Sequence, residues 1–156
     1  MSTAHTVKLK KYEDINIEKE ANAALTPGHL LQLMSTGKVR KHPTAGGNAV
    51  PKMFALEDEL QGKEIDEDYA AGDRVQIWIC QPGEVVNALL KDGENIAIGD
   101  ILESAGDGTL QKSLPDYSTA LLTIYHNQIV GIANEARDLT GSSGADAGYR
   151  ISVTIV

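Results

Sequence analysis

The chain has little of what a disulfide scaffold or a reaction centre requires. Cys80 is the single cysteine in 156 residues, so no intramolecular bridge forms, and aromatic residues make up only 4%. A core short of aromatic rings is built from Val, Ile, Leu and Ala, which suits thin β layers better than a deep ligand pocket. No run of about 18 apolar residues occurs and no basic, apolar, cleavable leader opens the sequence, so neither a membrane span nor secretion by that route is expected.

The spacings of metal and nucleotide sites are missing too. The histidines, His5, His29, His42 and His126, are scattered, with no pair at zinc-ligand spacing. Between Glu57 and Asp73 there are eight carboxylates and one base, Lys63, without the alternating Asp/Asn, fixed Gly and terminal Glu of an EF-hand loop. That stretch is expected to be an exposed, solvated excursion that binds no metal. Glycines 93, 99, 106 and 108 form neither G-x-G-x-x-G nor a P-loop. Gly141-Ser-Ser-Gly144 does not match G-x-S-x-G, so a triad of Ser142, His126 and Asp138 has no motif behind it. Cys80, set among Ile and Trp, reads as a small buried hydrophobe and not as a nucleophile. The expectation is a protein without catalytic residues, cofactor or metal.

What is present is β grammar. Arg74-Val-Gln-Ile-Trp-Ile-Cys80 places Val75, Ile77 and Ile79 on one face of an extended chain and Gln76, Trp78 and Cys80 on the other. Gly72-Asp73, Pro82-Gly83, Gly99-Asp100 and Gly106-Asp107-Gly108 punctuate short apolar pieces at the spacing of an all-β barrel or sandwich. Residues 29–34 and 38–42 flank Ser35-Thr36-Gly37 as a hairpin, and Met53–Leu56, Ala120–Tyr125, Gln128–Ala133 and Tyr149–Val156 read as further strands. The segment Glu84–Lys91 fits a short helix or an irregular strand. A chain of this length is expected to bury one core, and no linker or internal repeat divides it.

Charge is unevenly distributed. Residues 1–42 carry seven Lys/Arg and four acids, a balance of +3, leaving −11 on residues 43–156 of a chain whose formal net charge is −8. An acidic body repels nucleic acid. A basic leading segment suits an acidic protein surface. Within residues 1–20, Val7 and Leu9 alternate with Lys8 and Lys10, and Ile15 and Ile17 repeat the pattern. Such a terminus is either a frayed tail or an arm that adds as a strand to a neighbour's sheet edge.

Taken together, these motifs resemble the capsid decoration, or cement, proteins of tailed bacteriophages. The likeness rests on Leu25-Thr-Pro-Gly-His-Leu30, Thr44-Ala-Gly-Gly-Asn-Ala49, Phe54-Ala-Leu-Glu57 and Tyr69-Ala-Ala-Gly-Asp-Arg-Val75. It continues through Val86–Asp100, Ser104–Leu110, Ile129–Ala133 and Arg150–Ile155, across most of residues 24–156.

The resemblance implies a mainly β, single-domain, β-barrel-like or tulip-like fold over residues 21–156, with an extended N-terminal arm over 1–20 and at most one or two short helices. It implies a non-enzymatic virion protein, made in the host cytoplasm, that sits on the outer surface of the expanded head and braces the major capsid protein. It further implies a homotrimer that binds neither nucleic acid nor membrane. The capsid-binding stretch expected on this reading is Val7, Lys8, Leu9, Lys10, Lys11 and Tyr12. Rival readings are a tail or fibre component, a carbohydrate-binding β module and a small β-barrel hydrolase, none with a positive motif.

Overall fold

The computed structural model describes residues 4–114, 126–141 and 149–156. The chain is mainly β, as expected. Its strands are β1 (Lys8–Lys10), β2 (Asn16–Glu20), β3 (Leu30–Leu33), β4 (Val39–Lys41), β5 (Met53–Ala55), β6 (Arg74–Ile79), β7 (Val85–Leu89), β8 (Asn95–Ile96), β9 (Ile101–Ser104), β10 (Leu110–Lys112), β11 (Ile129–Ala133), β12 (Arg137–Asp138) and β13 (Arg150–Ile155). The helical pieces among the described residues are two 3-10 turns, Glu59–Gln61 and His126–Gln128. The expected strand Ala120–Tyr125 and the Ser142 loop lie outside the described residues.

Two antiparallel sheets carry the fold. One runs β1-β7-β13-β11-β9-β10 and the other β2-β6-β5-β3-β4, with a β8-β12 ribbon beside them. The hairpin read from residues 29–42 is β3-β4, turned at Gly37 with φ +82°. In the five-stranded sheet, side chains alternate between two cores. Leu30, Phe54, Trp78 and Cys80 point toward the six-stranded sheet, where they meet Val86, Ala88, Leu102, Val130, Ile151, Val153 and Ile155. Leu31, Val39, Met53, Ala55, Val75 and Ile77 point the other way into a second core with Ala21, Leu25 and Tyr69. The sheet coils so far that a bridge pairs Ala21, just past β2, with Val39 of β4, drawing its two edges together.

This two-core plan explains where the sequence pattern misleads. Glu84–Lys91 is a strand, because β7 is interior to its sheet and buried on both faces, which erases the period-2 signal. The acidic stretch 57–73 is only partly an excursion. Most of its carboxylates are exposed, but Ile65 and Tyr69 are buried and the Tyr69 hydroxyl donates to Leu56 O at 2.7 Å. Two apolar anchors among polar residues suffice to fold the stretch down against the body.

The leading residues also differ from the expected extended arm. β1 pairs with β7 of one sheet and β2 with β6 of the other, so residues 8–20 supply an edge strand to each. Their alternation meets partners within the same chain.

Gly131 marks a close approach. A Cβ there would lie 2.4 Å from Thr154 O and 2.5 Å from Val153 Cγ1, and the β9-β11 register shifts at the same place. Gly131→Ala is therefore expected to destabilise the protein by about 1–3 kcal/mol through overpacking. Phe54→Ala, which empties a site wholly inside the first core, is expected to cost about 3–5 kcal/mol. Urea unfolding followed by the emission of buried Trp78 measures both, and unchanged midpoints would contradict the packing described.

Candidate functional site

The six residues of the expected binding stretch are brought together along one edge, but not with equal exposure. Val7 is fully buried in the first core, and Lys8 and Leu9 are half-buried. The Lys8 ammonium bonds Asp14 and Asn16 and stands 5.7 Å from the Trp78 ring centroid. Lys11 pairs with Asp14, and the Lys11 and Lys8 ammonium groups hold the Asp14 carboxyl down to about 2. Lys10 and Tyr12 are exposed, and the Tyr12 hydroxyl donates to Pro82 O at 2.5 Å. The segment therefore presents Lys10, Lys11 and Tyr12 outward and spends Val7 on the body.

Two acidic side chains anchor this segment, and neither was singled out from the sequence. Glu84 is wholly buried and accepts the backbone N–H groups of Tyr12 at 3.2 Å, Glu13 at 3.0 Å and Gln81 at 2.8 Å. Glu57 accepts the Val7 N–H at 3.0 Å and the Thr6 hydroxyl. A buried carboxylate that collects backbone donors clamps the chain it collects them from. β1 itself is three residues long, carries lysines and breaks register between Lys8 and Lys10, features that discourage further strand pairing.

The histidines do not converge. His5 and His126 are exposed, while His29 and His42 are buried. His29 Nδ1 accepts the Thr26 N–H at 2.9 Å, and burial, reinforced by the Lys41 charge, pushes the imidazole down to about 3. His42 bridges Ser104 Oγ at 2.8 Å and Asn48 O at 2.9 Å, and both His42 and Ser104 are buried. Burial pushes the Cys80 thiol up, which matches its reading as a packing residue. Among the described residues no group of three His, Cys, Asp or Glu side chains is placed to hold a metal.

Surface charge is segregated by segment. Residues 21–56 contain no Asp or Glu, yet carry Lys38, Arg40, Lys41 and Lys52. The next seventeen residues hold the eight carboxylates. Between them lies β5. At its start, Leu31, Leu33, Ala49, Val50, Pro51 and Met53, with Gln32 and His42, line an open hollow of about 290 Å³. Beyond its end, Leu60 stands fully exposed on the 3-10 turn.

Neither a protein-family model nor a curated protein sequence matches the chain. Among solved structures, it is similar to the N base of the head fiber protein gp8.5 of bacteriophage phi29. The TM-score is 0.55 at 16% sequence identity, over 92% of this chain and 95% of that one. At that identity the likeness is one of fold, and it extends nearly end to end in both chains.

Two predictions follow from the anchors and the histidines. Glu84→Ala is expected to cost about 2–3 kcal/mol by leaving buried N–H groups without acceptors. Limited trypsin digestion should then cut at Lys8, Lys10 and Lys11 well before the body, whereas wild type resists; identical digestion patterns would refute the clamp. For His29, a folded value far below 6.5 means the unfolded chain takes up a proton that the folded chain refuses. Stability is therefore lost as pH falls below about 6.5 toward 3. In imidazole NMR titrations His29 should remain neutral at pH 5.

Proposed function

We propose that this chain is a structural protein of a phage virion that sits on the outer surface of the expanded head, bound to the major capsid protein as a homotrimer, and braces neighbouring capsid subunits. The observation that carries the reading is the near end-to-end match to a head fiber base. The match runs over 92% of this chain and 95% of that one, so it takes in the body and not one fragment of it. Residue-level support comes from the decoration-protein motifs and from the two-core packing of the body.

In this reading the N-terminal segment contacts the shell through side chains. Its backbone is already engaged with β7 and clamped by Glu57 and Glu84, so Lys10, Lys11 and Tyr12 are the groups offered to a partner. Two cations beside an exposed phenol suit an acidic surface with backbone carbonyls to receive them. Many such weak contacts, multiplied over a trimer, give tight overall attachment through high effective concentration.

A second reading, a base that carries a fibre, draws on the same match and differs in what stands above the shell. Cryo-electron microscopy of virions separates the two: a low knob is a decoration protein and a projecting shaft is a fibre.

The direct test is co-sedimentation of the purified chain with empty expanded heads. Binding should saturate at a fixed number of copies per capsid subunit, and Lys10→Glu with Tyr12→Ala should weaken it about tenfold or more while leaving the melting temperature unchanged. A chain that fails to sediment with heads would end the proposal.

A further inference from the structure

The acid-free stretch and the acidic stretch present complementary shapes as well as complementary charges. Leu60 is fully exposed at the apex of a braced turn. Asp58 and Lys63 exchange backbone hydrogen bonds of 2.8 and 2.9 Å beneath it, Gln61 Nε2 donates to Asp58 Oδ2, and Gly62 closes the turn at φ +71°. Glu59 next to this apolar tip, and Glu64 and Glu67 further along the same acidic stretch, are exposed and have no ion pair among the described residues. A braced apolar knob on an acidic stretch loses little order on docking.

The hollow at the start of β5 is its counterpart. It is floored by buried Leu31, Ala49 and Met53 and rimmed by half-exposed Leu33 and Val50. No carboxylate lines it. Cations neighbour its lining: exposed Arg40 bonded to Gln32, half-buried Lys41 opposite Leu31, and largely buried Lys52 between Pro51 and Met53, none with an ion pair among the described residues. Uncompensated cations around an apolar hollow, in a chain of net charge −8, fit an acidic apolar partner.

We infer that the Leu60 turn of one copy docks in the β3-β5 hollow of a second copy, so that the chain assembles head to tail. The hollow lies at the start of β5 and the knob beyond its end, and the surfaces around the two share no lining residue, so the contact is drawn between copies. A head-to-tail contact between unlike surfaces closes into a ring when its rotation allows, and a ring of three is the cyclic trimer. This deepens the proposed virion role and rests on it only for the number of copies. The contact itself stands on shape and charge.

Sedimentation equilibrium of the full chain, with circular dichroism and melting as fold controls, tests it. Leu60→Asp removes the knob and Leu33→Glu spoils the hollow, both at exposed positions. Each should raise the dissociation constant of the assembly roughly 30-fold or more, the effect of losing an anchor residue. Mixing the two variants should restore one-to-one dimers, because one intact knob meets one intact hollow, and 1 M salt should weaken the wild-type assembly about tenfold by screening its charged rims. Variants that assemble like wild type, or a mixture that stays monomeric, would overturn the inference. Co-sedimentation of wild type with heads reads the other proposal separately: head binding by a monomer defeats the docking and the trimer but leaves the virion role, and an intact ring that ignores heads defeats only the virion role.

Discussion

The centre of the five-stranded sheet, β5 and the middle of β6, is buried on both faces, and most of the molecule follows from that. Along β5 and β6, successive side chains feed different cores: Phe54 and Trp78 toward the six-stranded sheet, Met53, Ala55, Val75 and Ile77 into the coiled interior. Because the side-chain period of a strand is two, a slip of one residue would exchange the two sets and mismatch both cores at once. Register is thus specified twice. The second core also needs a cover, and the chain supplies it by folding Leu25 and Tyr69 over the open side.

Polar anchors secure what apolar packing leaves loose. Glu57 and Glu84 collect backbone donors from residues 7–13, and the nearly buried Arg150 donates to Ile65 O and to Asp66, tying the acidic stretch to β13. The Arg150 Nε and Nη1 groups have no hydrogen-bond partner among the described residues, which makes this tie costly to build and sensitive to loss of Asp66. Segments that would fray as peptides become part of a stiff body.

The likeness to a phage head fiber base is one of backbone plan at 16% identity, so it speaks to the fold and not to the surface chemistry of this chain. Here that chemistry is organised by segment. An acid-free run forms β3, β4 and β5 with the hollow, an acidic run forms the turn after β5, and a basic edge lies on β1. Two basic surfaces and one acidic surface thus occupy separate segments of one small body.

Strand content, the β3-β4 hairpin, the alternation in β6, the buried character of Cys80 and the closing strand β13 were legible in the chain, because each depends on local period and turn chemistry. The alternation of Val7 and Leu9 with Lys8 and Lys10 was legible too. Their partner was not: alternation says that Val7 and Leu9 share a face, but only the arrangement of β7 and β6 places that face against the chain's own sheets. The strand nature of Glu84–Lys91 was hidden by burial on both sides, and the roles of Glu57 and Glu84 by the fact that a lone carboxylate has no period. What residue order alone settles is the short-range pattern of which side chains flank each turn. Which faces become interior, and which carboxylates become anchors, is decided by contacts between residues as distant in the chain as Val7 and Glu57, a long-range pairing that no local pattern encodes.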